Sequence, residues 1–497
     1  MRPLITAVSL SLDKPSPSDK RADKERLLDG LRGAGIDLPV EIELETLRIL
    51  PAYLREHDFY VTLTLGSMGD RYKVIDIGRP APYAVAVDIG TTNMVASLFD
   101  LTKKERIGSD ERENPQISKG PDVLSRVHMA MSGKGSCLHS LLITGINELI
   151  GKLASRHDVS TKDIGAVVFA GNTIMTHFLL NLPVDAIAVE NYIPVVHKPA
   201  FVSPRTIGIS MHNQGIAYVF PNAGSYVGGD IISGIICSGG YKQTDPFIIV
   251  DAGTNAEIVL GCDEWIMVGA GAAGPALEKG IAEIGMRAGE GAICHVDINM
   301  DADAVMIKTI GGGEPKGICG SGMIELISEL YGSGIINQQG KFSGKSGKIR
   351  ETDGCKEFIL YESAGTRLVI RETDIENFLR SKAAMFASLY VMVKAVGLCF
   401  SDIARFYVSG ALGSGIDTDK AVSIGFIPDI ERSRFVALGN SSLAGAEMLL
   451  VNSTLLKDIE AVCAMTTYRE MNTDGEFMRE FPAAMFIPHT NPEVLKC

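Results

Sequence analysis

The chain of 497 residues carries a formal net charge of −13, and 46% of its residues are hydrophobic and 22% charged. This length predicts about two to four domains, and the composition is typical of a protein with large apolar cores. Because non-specific nucleic-acid binding needs a basic surface, we expect no nucleic-acid partner for this acidic chain.

Targeting signals are not evident in the sequence. Residues Met1–Thr6 lack an apolar stretch followed by a small-residue cleavage site, so we predict no signal peptide. The most apolar run, residues 383–400, is interrupted by Lys394 and is shorter than the about 20 residues that a membrane span needs. We therefore predict a buried core helix there, no membrane association and a cytoplasmic protein.

Residues 1–80 are predicted to form a small separate α/β domain. Local periodicity indicates a strand over 5–12, helices over 21–34 and 44–57, and strands over 60–65 and 72–77. Pro51 is predicted to break the second helix, since proline lacks the backbone N–H that the helix interior uses. The Gly/Pro-rich segment 78–82 then marks a boundary.

From residue 83 onward, two similar segments stand out. Ala84–Asp100 and Ile248–Gly261 each contain two hydrophobic strands that are joined by an Asp-x-Gly-Thr turn, which begins at Asp88 and at Asp251. Two such copies favour a duplicated domain, each half of which begins with a β-hairpin.

The Asp-x-Gly-Thr turns are suited to phosphate binding. Gly90 and Gly253 are predicted to adopt positive φ, so that consecutive N–H groups point in one direction and form an anion-binding nest. Further contacts to phosphate are predicted for the hydroxyl and amide side chains of Thr91, Thr92, Thr254 and Asn255.

Asp88 and Asp251 are predicted to bind Mg²⁺, through water, on the phosphates of a bound nucleotide. Two such hairpins facing each other would hold ATP between two lobes. The alternative is that both are simple hairpin turns, in which Asp-x-Gly is common. The matching flanks of the two copies favour phosphate binding.

The two hairpins resemble the phosphate loops of the acetate and sugar kinase, Hsp70 and actin superfamily. The resemblance implies an α/β fold in which residues 83–497 form a duplicated actin-like, ribonuclease H-like ATPase domain with two lobes. It also implies an adenosine loop, which residues 406–415 match because a strand runs there into small residues. Gly410 and Gly413 are the predicted nucleotide contacts, with a plain strand-to-helix turn as the alternative.

Further motifs are similar to one branch of that superfamily, the ATP-dependent reductive activators of corrinoid proteins. These motifs are residues 113–126, 170–177, 220–230, 273–280, 285–288, 317–322 and 485–489. The resemblance covers essentially the whole chain and likens residues 1–80 to the family's middle domain. It implies that ATP hydrolysis is coupled to the reduction of Co(II) to Co(I) in a corrinoid protein of a methyltransferase system.

Family members also carry an iron–sulfur domain, for which this sequence offers no ligands. No two of its nine cysteines have C-x2-C or C-x4-C spacing, so we predict no iron–sulfur cluster on this chain. A separate electron donor protein, a fragmentary chain and a loss of electron transfer all remain open. A homodimer is a further candidate assembly.

Four other segments carry candidate site residues. Asp122 and Asp230 are candidates for orienting the attacking water or holding the metal, and helix capping is the alternative for each. Gly320, Ser321 and Gly322 open a helix whose amino end is suited to an anion, and close helix packing is the alternative. Two other functions stay open, a small-molecule kinase and a non-catalytic ATP-dependent binding module.

Overall fold

The structure is a computed structural model, and it describes residues 2–225, 227–253, 256–271, 282–352, 354–363, 365–410, 416–471 and 474–496. The strands are β1 (Ile5–Ser11), β2 (Val40–Glu41), β3 (Tyr60–Ser67), β4 (Tyr72–Ile77), β5 (Tyr83–Ile89), β6 (Asn93–Asp100), β7 (Glu105–Glu113), β8 (Ile164–Gly171), β9 (Ala200–Val202), β10 (Ile216–Val219), β11 (Phe247–Ala252), β12 (Ala256–Gly261), β13 (Ile266–Gly271), β14 (Ala292–Asn299), β15 (Ala304–Thr309), β16 (Gly317–Ile318), β17 (Ile349–Thr352), β18 (Cys355–Glu362), β19 (Arg367–Arg371), β20 (Arg405–Gly410), β21 (Phe435–Gly439) and β22 (Thr466–Glu470).

The α-helices are α1 (Asp23–Gly33), α2 (Leu44–Glu56), α3 (Val123–Met129), α4 (Gly135–Arg156), α5 (Thr173–Leu179), α6 (Pro204–Ile207), α7 (Gly229–Ser238), α8 (Gly320–Gly332), α9 (Glu372–Ala395), α10 (Thr418–Ser423), α11 (Ser441–Val451), α12 (Leu455–Met465) and α13 (Gly475–Ala484). The chain divides into two compact units. Unit 1 comprises Met1–Cys237 and Ser442–Ala464, and unit 2 comprises Ser238–Ser441 and Met465–Cys497.

The first part of unit 1 is a four-stranded sheet in the order β1-β3-β4-β2, covered by α1 and α2. Each helix buries leucines four residues apart, Leu27 with Leu31 and Leu50 with Leu54, because residues i and i+4 share one helix face. These leucines pack into one apolar cluster with the strand residues. The proposed domain boundary near residues 80–83 stays a prediction.

The predicted break at Pro51 is wrong, since α2 runs through this residue. Pro51 lies on the exposed side of the helix, and the only intrahelical hydrogen bond that its missing N–H removes is the one to Leu47 O, four residues earlier. Burial of Leu50 and Leu54 stabilises the helix on its other side.

The second sheet of unit 1 has the strand order β7-β6-β5-β8-β10-β9. Strands β5, β6 and β7 are an antiparallel meander, whereas β8 lies parallel to β5 and β10 parallel to β8. Helix α4 packs against β6 and β7, and its buried side chains join those of the strands in one core.

Unit 2 repeats this arrangement in the strand order β21-β20-β11-β12-β13-β22. Strands β11, β12 and β13 are again an antiparallel meander, with β20 parallel to β11 and β21 parallel to β20. The predicted duplication, in which each half begins with an Asp-x-Gly-Thr hairpin, is therefore confirmed. Two smaller sheets, β15-β14-β16 and β17-β18-β19, complete the unit.

Helix α9 is the buried core helix predicted from the apolar run. Most of its residues are buried, including the lysine Lys382, and its apolar side chains belong to the large core of unit 2. Among the helices of the described residues, none combines the length and apolarity that crossing a membrane requires.

Candidate nucleotide-binding site

The first hairpin places Asp88 near the end of β5, where its side chain is half-buried and lies opposite Val95 of β6. Ser442 Oγ donates a hydrogen bond of 2.7 Å to Asp88 Oδ1. Ser442 lies in the first turn of α11, and this helix approaches α7 closely because Gly445 has no side chain. A Cβ at Gly445 would lie 2.0 Å from Ser233 O.

The turn between β5 and β6 contains Gly90, for which the prediction of positive φ is wrong. Its φ lies outside the left-handed region, and glycine is required here by space, because a Cβ would lie 2.4 Å from Asn93 O. Two carbonyls of this turn are held by the buried Asn114. Asn114 Nδ2 donates to Gly90 O over 3.0 Å, and Asn114 N donates to Thr92 O over 2.7 Å.

Thr91 is buried in the same turn and is positioned by Asn172. Asn172 Nδ2 donates to Thr91 Oγ1 over 3.1 Å, which leaves the hydroxyl proton of Thr91 able to donate elsewhere. Asn172 is also the N-cap of α5, since its Oδ1 accepts from Met175 N over 2.9 Å. One asparagine therefore fixes both the helix start and the threonine.

The second hairpin places Asp251 near the end of β11, opposite Ser409 of the parallel strand β20. Ser409 Oγ donates to Asp251 Oδ2 over 3.2 Å and shares a hydrogen bond of 2.6 Å with Ser441 Oγ. Each hairpin carboxylate thus accepts a hydrogen bond from a buried serine. Gly253 follows as the last described residue of this turn, and Thr254 and Asn255 lie outside the described residues.

Asp122 is the exposed N-cap of α3 and forms a capping box with Ser125. Ser125 N donates to Asp122 Oδ1 over 2.8 Å, and Asp122 N donates to Ser125 Oγ over 3.2 Å. The capping alternative is therefore confirmed for this residue. Asp230 is half-buried in the first turn of α7, where its Oδ1 accepts from Ile231 N over 2.8 Å.

Gly320, Ser321 and Gly322 are the first three residues of α8. A Cβ at Gly322 would lie 2.3 Å from Ile293 O, so close packing of α8 against β14 accounts for this glycine. Gly410 ends β20 with a φ of 71°, a left-handed conformation that favours glycine. The predicted contact Gly413 and the motif 273–280 lie outside the described residues.

The donors of the two hairpins are carboxylate and hydroxyl oxygens together with backbone N–H groups. Such hard oxygen ligands suit Mg²⁺, which keeps several of its waters when it binds phosphates in proteins. Within the described ranges, no group of three or more His, Cys, Asp and Glu side chains is arranged to hold a metal ion.

Several residues of this site were not predicted from the sequence. Asn114 and Asn172 lie in motifs that resemble the family's, but neither was assigned a role there. Ser409 and Ser442 lie in segments of small residues, and the lack of large side chains is the only sequence feature that distinguishes these segments. The structure assigns all four to the hairpins through hydrogen bonds.

Comparison with known proteins places the chain in a family. The model for the C-terminal domain of RACo, described as the ASKHA domain, matches residues 245–496, and the models for the RACo middle and linker regions match residues 83–243 and 1–80. The chain belongs to the RACo family. Residues 1–80, which the resemblance likened to the middle domain, therefore correspond to the linker region.

Individual RACo relatives agree with this assignment. A solved structure, the reductive activator for corrinoid, iron-sulfur protein, is 36% identical with a TM-score of 0.90, over 99% of this chain and 80% of that one. The corrinoid activation enzyme RamQ of Eubacterium limosum is 27% identical, over 80% of this chain and 69% of RamQ. The [Co(II) methylated amine-specific corrinoid protein] reductase of Methanosarcina barkeri is 26% identical, over 78% and 73% of the two chains. The predicted actin-like α/β fold is confirmed.

Proposed function

We propose that this chain is an ATP-dependent reductive activator of a corrinoid protein. ATP is hydrolysed to ADP and phosphate, and one electron from a donor protein reduces the cobalt of the partner's corrinoid from Co(II) to Co(I). The observation that carries the proposal is the likeness of 99% of the chain to the solved reductive activator, at a TM-score of 0.90. The two relatives named for corrinoid activation and for Co(II) corrinoid protein reduction support it further.

The two hairpins supply what Mg-ATP binding requires. Asp88 and Asp251 are half-buried carboxylates in equivalent positions of a duplicated fold, each oriented by a serine hydroxyl. Thr91 adds a hydroxyl donor, while backbone amides and Mg²⁺ balance the phosphate charge when the nucleotide is bound. We propose that both carboxylates hold the metal through water.

Phosphoryl transfer to water depends mainly on positioning and on charge stabilisation. Asp230 is proposed to orient the attacking water, because it lies half-buried in the first turn of α7. Asp122 is the weaker candidate for this role, since one of its oxygens already caps α3. The glycines Gly320 and Gly410 are proposed to give the nucleotide room to approach the backbone, whereas the packing of α8 against β14 accounts for Gly322.

Hydrolysis must be coupled to electron transfer because reduction of Co(II) is uphill for ordinary donors. The coupling requires that the binding of nucleotide and the binding of the corrinoid protein shift the same equilibrium between two states of the chain. The coupling free energy between two such binding events is typically 1–3 kcal/mol. The separate electron donor protein and the homodimer stay predictions.

Substitution of the two aspartates tests the ATPase assignment. Asp88→Ala and Asp251→Ala should each abolish ATP hydrolysis while the protein stays folded. The control is Asp110→Ala. Asp110 lies on β7, in the same sheet as Asp88, and its carboxylate pairs with Lys152. The Asp110→Ala variant should hydrolyse ATP at the wild-type rate. Normal turnover in both hairpin variants would overturn the assignment.

A further inference from the structure

The guanidinium of Arg126 is fully buried on α3 and only partly paired. Its Nε donates to Gly120 O over 2.9 Å, and its Nη1 donates to Gln116 Oε1 over 3.2 Å. Its Nη2 has no hydrogen-bond partner in the part of the chain that the structure describes. A buried polar nitrogen in this state is costly.

The positive charge of Arg126 is also poorly compensated within the described residues. Burial lowers the pKa of Arg126 to about 10, and the charge of Asp122 acts in the opposite direction. The group therefore stays protonated at neutral pH. Arg126 forms no salt bridge within the described residues, and a buried cation without a paired carboxylate destabilises a fold. Stability alone does not explain this residue.

A line of buried side chains joins Arg126 to the first hairpin. Gln116, which accepts from Arg126, donates through its backbone N–H to Asn114 Oδ1 over 3.0 Å. Asn114 Nδ2 in turn donates to Gly90 O over 3.0 Å. Both side chains are fully buried, so charge acts along this line with little screening by water.

Met175 confirms that the two ends of this line are close together. Its Sδ lies 3.8 Å from Asn114 Nδ2 and also 3.8 Å from Arg126 Nη1. Met175 N is at the same time held by Asn172, the residue that positions Thr91. The cation therefore lies directly behind the turn that carries Gly90 and Thr91.

We propose that Arg126 is a positioning residue for the phosphates of the bound nucleotide. Its positive charge makes the first hairpin attractive to a polyanion, whose charge compensates the buried guanidinium. Its hydrogen bond to Gln116 keeps Asn114 in place, and Asn114 holds the carbonyl of Gly90 so that the turn keeps one conformation. This inference rests on the proposed binding of Mg-ATP.

The test compares two buried arginines. Arg126→Met removes the unpaired cation, and Arg26→Met removes a buried arginine of helix α1 that is paired with Asp19 over 2.5 Å. Isothermal titration with Mg-ATP and steady-state hydrolysis are measured on each. Arg126→Met should raise the Kd and the KM about tenfold and change kcat less than about twofold, with a melting temperature within about 5 °C of the wild type.

Arg26→Met should bind Mg-ATP like the wild type and unfold more readily, because it removes the ion pair with Asp19 and the hydrogen bond of 2.9 Å to Asp13 O. Arg126→Lys keeps the positive charge and should therefore bind Mg-ATP more tightly than Arg126→Met does. If Arg126→Met does not fold, Arg126→Lys is measured against the wild type in its place. Folded Arg126→Met that binds Mg-ATP within about twofold of the wild type would overturn the inference. Equal loss in the lysine and methionine variants would also overturn it, since the charge then has no role. A wild-type chain that binds no Mg-ATP would instead overturn the proposed function, and the inference with it.

Discussion

Ser442 Oγ donates a hydrogen bond of 2.7 Å to Asp88 Oδ1, although 354 positions separate the two residues along the chain. A hydroxyl that donates to a carboxylate stabilises its charged form and fixes its orientation. Ser409 does the same for Asp251 over 3.2 Å. In each hairpin of the duplicated fold, a serine hydroxyl thus orients the aspartate carboxylate.

Ser442→Ala should therefore lower the kcat of ATP hydrolysis about tenfold, since a hydrogen bond to a charged group contributes about 1.5–3 kcal/mol. Steady-state ATPase rates measure the change. Ser140→Ala is the matched control, because Ser140 is an exposed helical serine of the same unit that donates to Ser136 O. A wild-type kcat in Ser442→Ala would show that the serine does not position Asp88.

Lys382 should be needed for the stability of unit 2. Its fully buried Nζ donates to three carbonyls, Ala484 O and Phe486 O over 2.7 Å and Pro488 O over 2.5 Å. Burial lowers the pKa of Lys382 to about 7, whereas the three carbonyls favour the ammonium form. Lys382→Met leaves the three carbonyls, one buried and two half-buried, without this donor, so the free energy of unfolding should fall by about 2–5 kcal/mol.

Urea denaturation measures this loss, and Lys394→Met is the control on the same helix. The side chain of Lys394 is 55% exposed, forms an ion pair of 3.7 Å with Glu476 and lies over the Tyr390 ring, 5.6 Å from its centroid. Its replacement should change the free energy of unfolding by no more than about 0.5 kcal/mol. Equal stability of the two variants would contradict a structural role for the lysine in holding residues 484–488.

His177 should make the protein less stable in mild acid. It is fully buried, its Nδ1 lies 2.7 Å from Thr173 O, and its Nε2 accepts from Val195 N over 3.0 Å, which requires the neutral ring. Burial lowers the pKa of His177, and the backbone carbonyl of Thr173 opposes this shift while the charge of His197 adds to it. The unfolded chain then binds more protons than the folded one below about pH 6.5, so this contribution to stability is present above that pH and is lost as the pH falls.

Urea midpoints at about pH 7.5 and about pH 5.5 test this assignment. His177→Gln should lose less stability between the two pH values than the wild type does. The control His128→Gln, which replaces an exposed histidine on α3, should show the wild-type difference. An unchanged pH dependence in His177→Gln would assign the acid sensitivity to other groups.

The sequence predicts most of this fold because strand and helix periodicity is local. Strand β4 coincides with its predicted range, and both hairpins form where the Asp-x-Gly-Thr turns indicate them. The errors at Pro51 and Gly90 come from tertiary context. Leucine burial maintains the helix through Pro51, and a neighbouring carbonyl rather than positive φ requires glycine at position 90.

The site was less predictable than the fold. Asp88 and Asp251 are marked by a repeated motif, but Ser442 and Ser409 reach them from distant segments, and the adenosine-loop match over 406–415 gave Ser409 no role toward Asp251. Arg126 ends the motif 113–126, but the motif assigns it no role, since its importance lies in its burial and in its incomplete pairing. Pairings over such separations depend on the folded topology, which local patterns do not encode.

The cysteine spacing predicts that this chain carries no intrinsic iron–sulfur cluster. Protein purified without oxygen should be colourless and should contain no stoichiometric iron or sulfide, because the ligand spacings of common clusters are lacking. Elemental analysis and the absorption spectrum measure this. A brown protein with stoichiometric iron and sulfide would contradict the prediction and would indicate ligands from distant loops or from two subunits.

The central claim is that ATP hydrolysis is coupled to cobalt reduction in a partner protein. The most direct measurement follows the Co(II) absorbance of a corrinoid protein in the presence of this chain and Ti(III), with and without Mg-ATP, while phosphate release is recorded in parallel. The account predicts that Co(II) converts to Co(I) only with ATP and the external donor together, that the Co(II) partner accelerates hydrolysis, and that Asp88→Ala eliminates both effects. Conversion at the same rate without ATP, or hydrolysis that the corrinoid protein leaves unchanged, would contradict it.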